Sequence, residues 1–95
     1  MKCGHFYFNG HAVRRMFEKR ISKSDVLEVI ARGEVIAEYA DDKPFPGSLI
    51  LGFVDDRPIH VVIAVDQESQ TCHIITVYRP VPVLWSEDFK LRRKQ

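Results

Sequence analysis

The sequence predicts an α+β fold in which two N-terminal helices pack on a four-stranded, mostly antiparallel sheet, followed by a short C-terminal helix or tail. Three observations carry that expectation. Apolar residues recur at helical spacing ahead of Gly33, the period changes to two after it, and no helix-length segment separates the later strands. Helices grouped ahead of a meander of hairpins give a layer arrangement with helices on one face and the other face partly free.

The elements follow in order. After a short aromatic lead from Phe6 to Phe8, Asn9 suits an N-cap. Ala12, Val13, Met16 and Phe17 then form one face of a helix over 10–20. Ser22 followed by Asp25 resembles a capping box, and Val26, Val29 and Ile30 form the stripe of a second helix over 23–32. Gly33 suits a left-handed position just past its end. Strands are expected over 34–39, 48–54, 59–65 and 71–78, separated by the turn-rich segments "ADDKPFPG", "DDRP" and "DQESQ". Prolines in "RPVPVLW" end the sheet, and Ser86 offers an N-cap for a short basic helix or tail.

A length of 95 residues, 45% hydrophobic, supplies one core and hence a single domain over 1–95. No stretch approaches the roughly 20 apolar residues of a membrane span, and the N-terminus lacks the apolar segment of a secretory signal. Cys3 and Cys72 lie far apart and fit neither CxxC nor zinc-finger spacing. Two separate thiols, with Cys72 buried, and a cytoplasmic location are therefore expected.

Net charge of +1 conceals a segregation along the chain. Residues 1–23 hold six basic side chains against one acidic, residues 79–95 hold five against two, and residues 24–78 hold three against ten. Two basic ends that met in space would form a surface for a polyanion, whereas a basic exposed helix is also an ordinary solvated face.

The strand "IHVVIAV" carries one titratable ring, His60. Alternation sets His60, Val62 and Ala64 on one side and Ile59, Val61, Ile63 and Val65 on the fuller core side. Pairing Val65 with Thr71 would bring His60 opposite Thr76, with Tyr78 on the same face, and a slip by one residue would bring His73 and Arg79 there instead. His60 is then either a core histidine bonded to Thr76 or to backbone, or a proton-transfer group facing a groove. His11 heads the first helix one turn from Arg14 and Arg15, either as a surface or capping residue or as a phosphate or base contact. Tyr39, Tyr78 and Trp85 are candidates for stacking on unpaired bases or for ordinary packing. His5 and His73 complete the histidines, but no HxH or HxxxH spacing occurs, so no metal or other cofactor is expected. The absence of GxSxG, P-loop and GxGxxG patterns sets aside serine hydrolase, nucleotide and dinucleotide chemistry.

The segments "GHAVRRMFEKRISKSDVLEVIARGEVIAEY", "GSLILGFVDDRPIHVVIAVD" and "IITVYRPVPVLW" resemble the bacterial DUF4258 family over most of the chain. The resemblance rests on His11-Ala12, Gly33-Glu34-Val35-Ile36, Gly52, the run from Pro58 to Val62, and Thr76-Val77-Tyr78 with Pro80. It implies a fold similar to RelE-type toxins and the activity of a type II toxin–antitoxin toxin, a metal-independent endoribonuclease that cleaves mRNA, free or on the ribosome. A cognate antitoxin would be its partner, and a homodimer is a further option. A ribonuclease of this kind needs a base for the 2′-OH, an acid for the leaving oxygen and cations around the phosphorane. The expected catalytic set is His60, Tyr78 and Arg79, with His11, Arg14, Arg15, Arg92 and Arg93 drawing in RNA. Asp41, Asp42, Asp55 and Asp56 repel RNA and place the expected cleft at the end of the first helix and the C-terminus. The alternative is a non-catalytic module of the same fold that binds RNA or protein.

Overall fold

The chain enters the sheet earlier than its periodicity suggested. In the computed structural model, which describes residues 3–93, the aromatic lead is a strand, β1 (His5–Phe8). It is followed by α1 (Gly10–Lys19), α2 (Lys23–Arg32), β2 (Glu34–Tyr39), β3 (Gly47–Val54), β4 (Arg57–Asp66) and β5 (Thr71–Tyr78). Lys2 and Lys94, which contribute to the basic ends, lie outside the described residues.

The sheet therefore has five strands, in the order β1-β5-β4-β3-β2, and it is mixed, because β1 runs parallel to β5. This corrects the four-stranded, mostly antiparallel expectation. It also corrects the RelE-like arrangement with helices ahead of the sheet, since α1 and α2 follow the first strand. Four residues are too few to display a period, and the pairing partner lies some sixty residues away, so local pattern could not reveal β1.

Local chemistry fixes both helices. The Asn9 side chain accepts a hydrogen bond from the Ala12 amide at 2.7 Å, and α1 ends where Arg20 turns left-handed (φ 55°). Ser22 and Asp25 form a reciprocal capping box at the start of α2. Gly33 does not take the left-handed conformation expected of it (φ −73°). Its lack of a side chain serves close approach instead, because a Cβ there would collide with the Val29 carbonyl and come within 2.6 Å of the Leu51 carbonyl.

Asp55 and Asp56 both have positive φ, as a two-residue type I′ connection between β3 and β4 requires. The β4–β5 register differs from expectation. Asp66 rather than Val65 pairs with Thr71, and Ile75 is an extra residue between the pairs Ile63–Ile74 and Val62–Thr76. The one-residue offset and the bulge together bring Tyr78, not Thr76, opposite His60.

One sheet face presents Ile50, Ile59, Val61, Ile63, Cys72, Ile74 and Val77 to Ala12 of α1 and to Val26, Val29 and Ile30 of α2, and all of these are buried. Burying a side chain of this size contributes about 2 kcal/mol, which makes this face the principal source of stability.

The second face is not free. Residues 79–93 form no helix; they cross it as an irregular strap with an isolated bridge between Trp85 and Arg92. Ser86 ties a turn rather than capping a helix, its hydroxyl donating to the Asp88 carboxylate at 2.6 Å and accepting from the Leu91 amide at 3.1 Å. Leu49, Leu51, His60 and Trp85 are buried on this side.

Cys3 and Cys72 form a disulfide, with Cα atoms 5.5 Å apart. The two separate thiols expected from spacing are thus corrected by topology, because β1 lies beside β5 and carries Cys3 to Cys72. No helix among the described residues is long and apolar enough to cross a membrane.

Candidate functional site

Two histidines are held by hydroxyls two residues apart on β5. Thr76 holds His11 and Tyr78 holds His60. The single polar cluster expected from the sequence is thereby split in two.

His60 is fully buried. Its Nε2 lies 2.8 Å from the Phe89 carbonyl, which can only accept, so Nε2 carries the proton and donates. Nδ1 is then free to accept from the Tyr78 hydroxyl at 3.1 Å. The Trp85 ring meets His60 edge-on, with centroids 4.4 Å apart. Loss of water pushes the imidazole below its ordinary pKa, and the bond to Phe89 only partly opposes this. Burial likewise pushes the Tyr78 phenol up. His60 is thus a neutral ring that fastens the strap to the sheet. The outward-facing position expected for His60 is corrected to full burial, with the half-buried Tyr78 as its hydrogen-bond partner.

Arg79 leaves β5 beside this pair, and its Nη1 is buried without a hydrogen-bond partner among the described residues. Arg92 lies over the outer side of Trp85, 5.8 Å from the ring centroid. Arg93 Nε donates to the Pro82 carbonyl at 2.9 Å. Both C-terminal arginines are therefore engaged in fastening the strap to itself, with their side chains exposed.

The second histidine is arranged differently. His11 occupies the second position of α1, is exposed, and places Nε2 3.0 Å from Thr76 Oγ1. Because β1 ends opposite Ile74, β5 continues past it as an open edge where α1 begins. Helical spacing sets Arg15 one turn beyond His11 on the same flank, with Arg14 on the outer crest. Both arginines are exposed, and Arg15 makes only a loose pair with Glu18 at 3.4 Å.

The structure thus brings His11, Arg14 and Arg15 together and separates them from His60. Sequence reasoning missed Phe89 and Trp85 as partners of His60, and it joined Thr76 to the wrong histidine. The only available signal was the lone Trp85 amid prolines, an apolar anchor in a segment otherwise read as tail. No group of three or more metal-ligating side chains occurs among the described residues.

The family model described as a domain of unknown function, DUF4258, matches residues 8–79, and the chain belongs to that family. The match covers the helices and strands β2 to β5 and stops at Arg79, before the strap. No curated protein and no solved structure matches the chain.

Proposed function

We propose that this DUF4258 domain acts on RNA as an endoribonuclease of the toxin–antitoxin kind, with His11 rather than His60 as its proton-transfer group. The observation that supports this most is the exposed His11 imidazole, fixed by Thr76 on an open strand edge and flanked by Arg14 and Arg15. With Nε2–H donating to Thr76, Nδ1 is available to take the proton of a ribose 2′-OH as that oxygen attacks the adjacent phosphorus. The bond to the 5′-oxygen then breaks, leaving a 2′,3′-cyclic phosphate, and the 5′-oxygen recovers a proton from a protonated acid or from water. Arg14 and Arg15 stabilise the charge that gathers on the phosphoryl oxygens. Tyr78 ends β5 and Arg79 follows it, and Arg92 and Arg93 add long-range attraction to RNA.

A second reading, a non-catalytic module that binds RNA or an antitoxin-like protein, is favoured by the full burial of His60 between the Phe89 carbonyl and the Tyr78 hydroxyl, which removes one of the groups a nuclease would use. Incubation of the purified chain with single-stranded and ribosome-bound message separates the two. The nuclease reading expects cyclic-phosphate termini that disappear in His11→Ala and fall in Thr76→Val while RNA affinity is retained. Binding without cleavage, weakened by Arg14→Ala with Arg15→Ala, supports the module instead.

A further inference from the structure

The corner between α1 and α2 is open. A hollow of about 710 Å³ lies there, lined by Met16, Phe17, Glu18, Arg20, Ile21 and Ser22. Its floor is apolar, because Ile21 is buried and Met16 packs against the core. One wall is the Phe17 ring, 88% exposed, with Val13, 51% exposed, one turn behind it on the same flank of α1. A phenyl ring this far in water contributes nothing to the core.

The frame around this ring is cationic. Arg14 precedes Phe17 by three residues and Arg20 follows it by three; both are exposed, and neither makes an ion pair among the described residues. Lys19 adds to the charge, and the opposing carboxylate of Glu18 is loosely paired to Arg15 at 3.4 Å. An aromatic ring among arginines, beside a hollow, complements a flat ring joined to anions, and an unpaired nucleotide is both. An anionic lipid surface would match the charge, but it takes up the apolar face of a helix, and here that face, with Ala12 and Met16, is turned to the core.

We propose that this hollow holds an unpaired base of single-stranded RNA, stacked on Phe17, with Arg14 and Arg20 on the phosphates either side of it. The inference rests on the RNA reading above and adds a base subsite to it. His11 and Phe17 each lie three residues from Arg14, on opposite sides, so a strand that crosses α1 at Arg14 sets a base on Phe17 and a phosphate toward His11. The two positions are about 9 Å apart along the helix axis. Glu18 turns phosphate away from its side of the hollow, while its carboxylate can accept from an exocyclic amino group of the base. Because every base has a face to stack, Phe17 positions the strand without reading its sequence.

Titration of a short, unstructured, fluorescently labelled oligoribonucleotide tests the proposal, with inorganic polyphosphate as a polyanion that has no bases. Binding is measured in the His11→Ala chain, so that the strand stays intact. Phe17→Ala, a change at an exposed site whose fold is checked by circular dichroism, is expected to weaken RNA binding roughly tenfold and leave polyphosphate binding unchanged. Phe17→Trp keeps the RNA affinity, whereas Phe17→Leu, apolar but without a ring, loses as much as alanine. RNA binding indifferent to Phe17→Ala, an equal loss for RNA and polyphosphate, or full affinity in Phe17→Leu overturns the proposal. Phe17-dependent adsorption to phosphatidylglycerol vesicles by a chain whose RNA binding does not need the ring overturns it as well. The nuclease reading fails separately: a wild-type chain that stacks RNA on Phe17 but leaves it uncut removes that reading and leaves the subsite standing.

Discussion

The Nε2 of His60 donates to the Phe89 carbonyl at 2.8 Å, joining a ring at the middle of the sheet to backbone 29 residues further along the chain. This bond and the Trp85 ring beside it convert the C-terminal segment from a tail into a cover for the second sheet face. It also determines which histidine is available to chemistry.

Replacing that ring therefore loosens the strap. His60→Ala removes a buried side chain and leaves the Tyr78 hydroxyl and the Phe89 carbonyl unpartnered, at an expected cost of about 3 kcal/mol. Urea unfolding followed by Trp85 fluorescence measures it, with the emission of the folded variant shifting toward that of an exposed indole.

Acid acts through the same ring. The folded pKa of His60 lies below the unfolded value of 6.5, so between the two the unfolded chain binds more protons. Stability is complete above about pH 7, and it falls as pH drops through 6.5 and continues falling until the folded pKa is passed. Unfolding free energies measured from about pH 8 to about pH 5 should show this loss, and a His60→Gln chain should show a shallower one.

Reduction of the Cys3–Cys72 disulfide opens a cross-link spanning 69 residues. Chain-entropy reasoning sets the expected loss at about 4 kcal/mol, with β1 the first element released from β5. Denaturation with and without reductant measures the first, and hydrogen exchange of the amides of residues 5–8 measures the second. Disulfides of this kind persist in oxidising compartments, so the cysteines no longer argue for a cytoplasmic location.

Packing between α2 and β3 depends on a missing side chain at Gly52. A Cβ there would sit 2.8 Å from one Val29 methyl and 3.1 Å from the Val29 Cα, so backbone and not only a flexible tip must move. Gly52→Ala is expected to cost about 2 kcal/mol in thermal or urea unfolding, with α2 displaced from the sheet.

The parts of the fold governed by local chemistry were legible in the sequence. Asn9, and Ser22 with Asp25, marked both helix starts, and alternation marked β2 to β5 to within about two residues of their ends. What remained hidden depends on pairing between distant segments. His5–Phe8 becomes a strand only because Thr71–Ile74 lies beside it, and that pairing also joins Cys3 to Cys72. A one-residue offset that sets Asp66 opposite Thr71, together with the extra residue Ile75, shifted the register by which Thr76 and Tyr78 were assigned to histidines. The sites followed the same division. His11 beside Arg14 and Arg15 is a local helical grouping and was visible, whereas the burial of His60 depends on Trp85 and Phe89, in a proline-broken segment that carries no period.

The most direct measurement is an NMR correlation of the imidazole nitrogens during addition of a short oligoribonucleotide. The His11 ring signals are expected to shift, while His60 keeps the Nε2–H tautomer and its bond to Phe89 unchanged. Displacement of the strap, with His60 responding to RNA while His11 stays silent, would contradict this expectation.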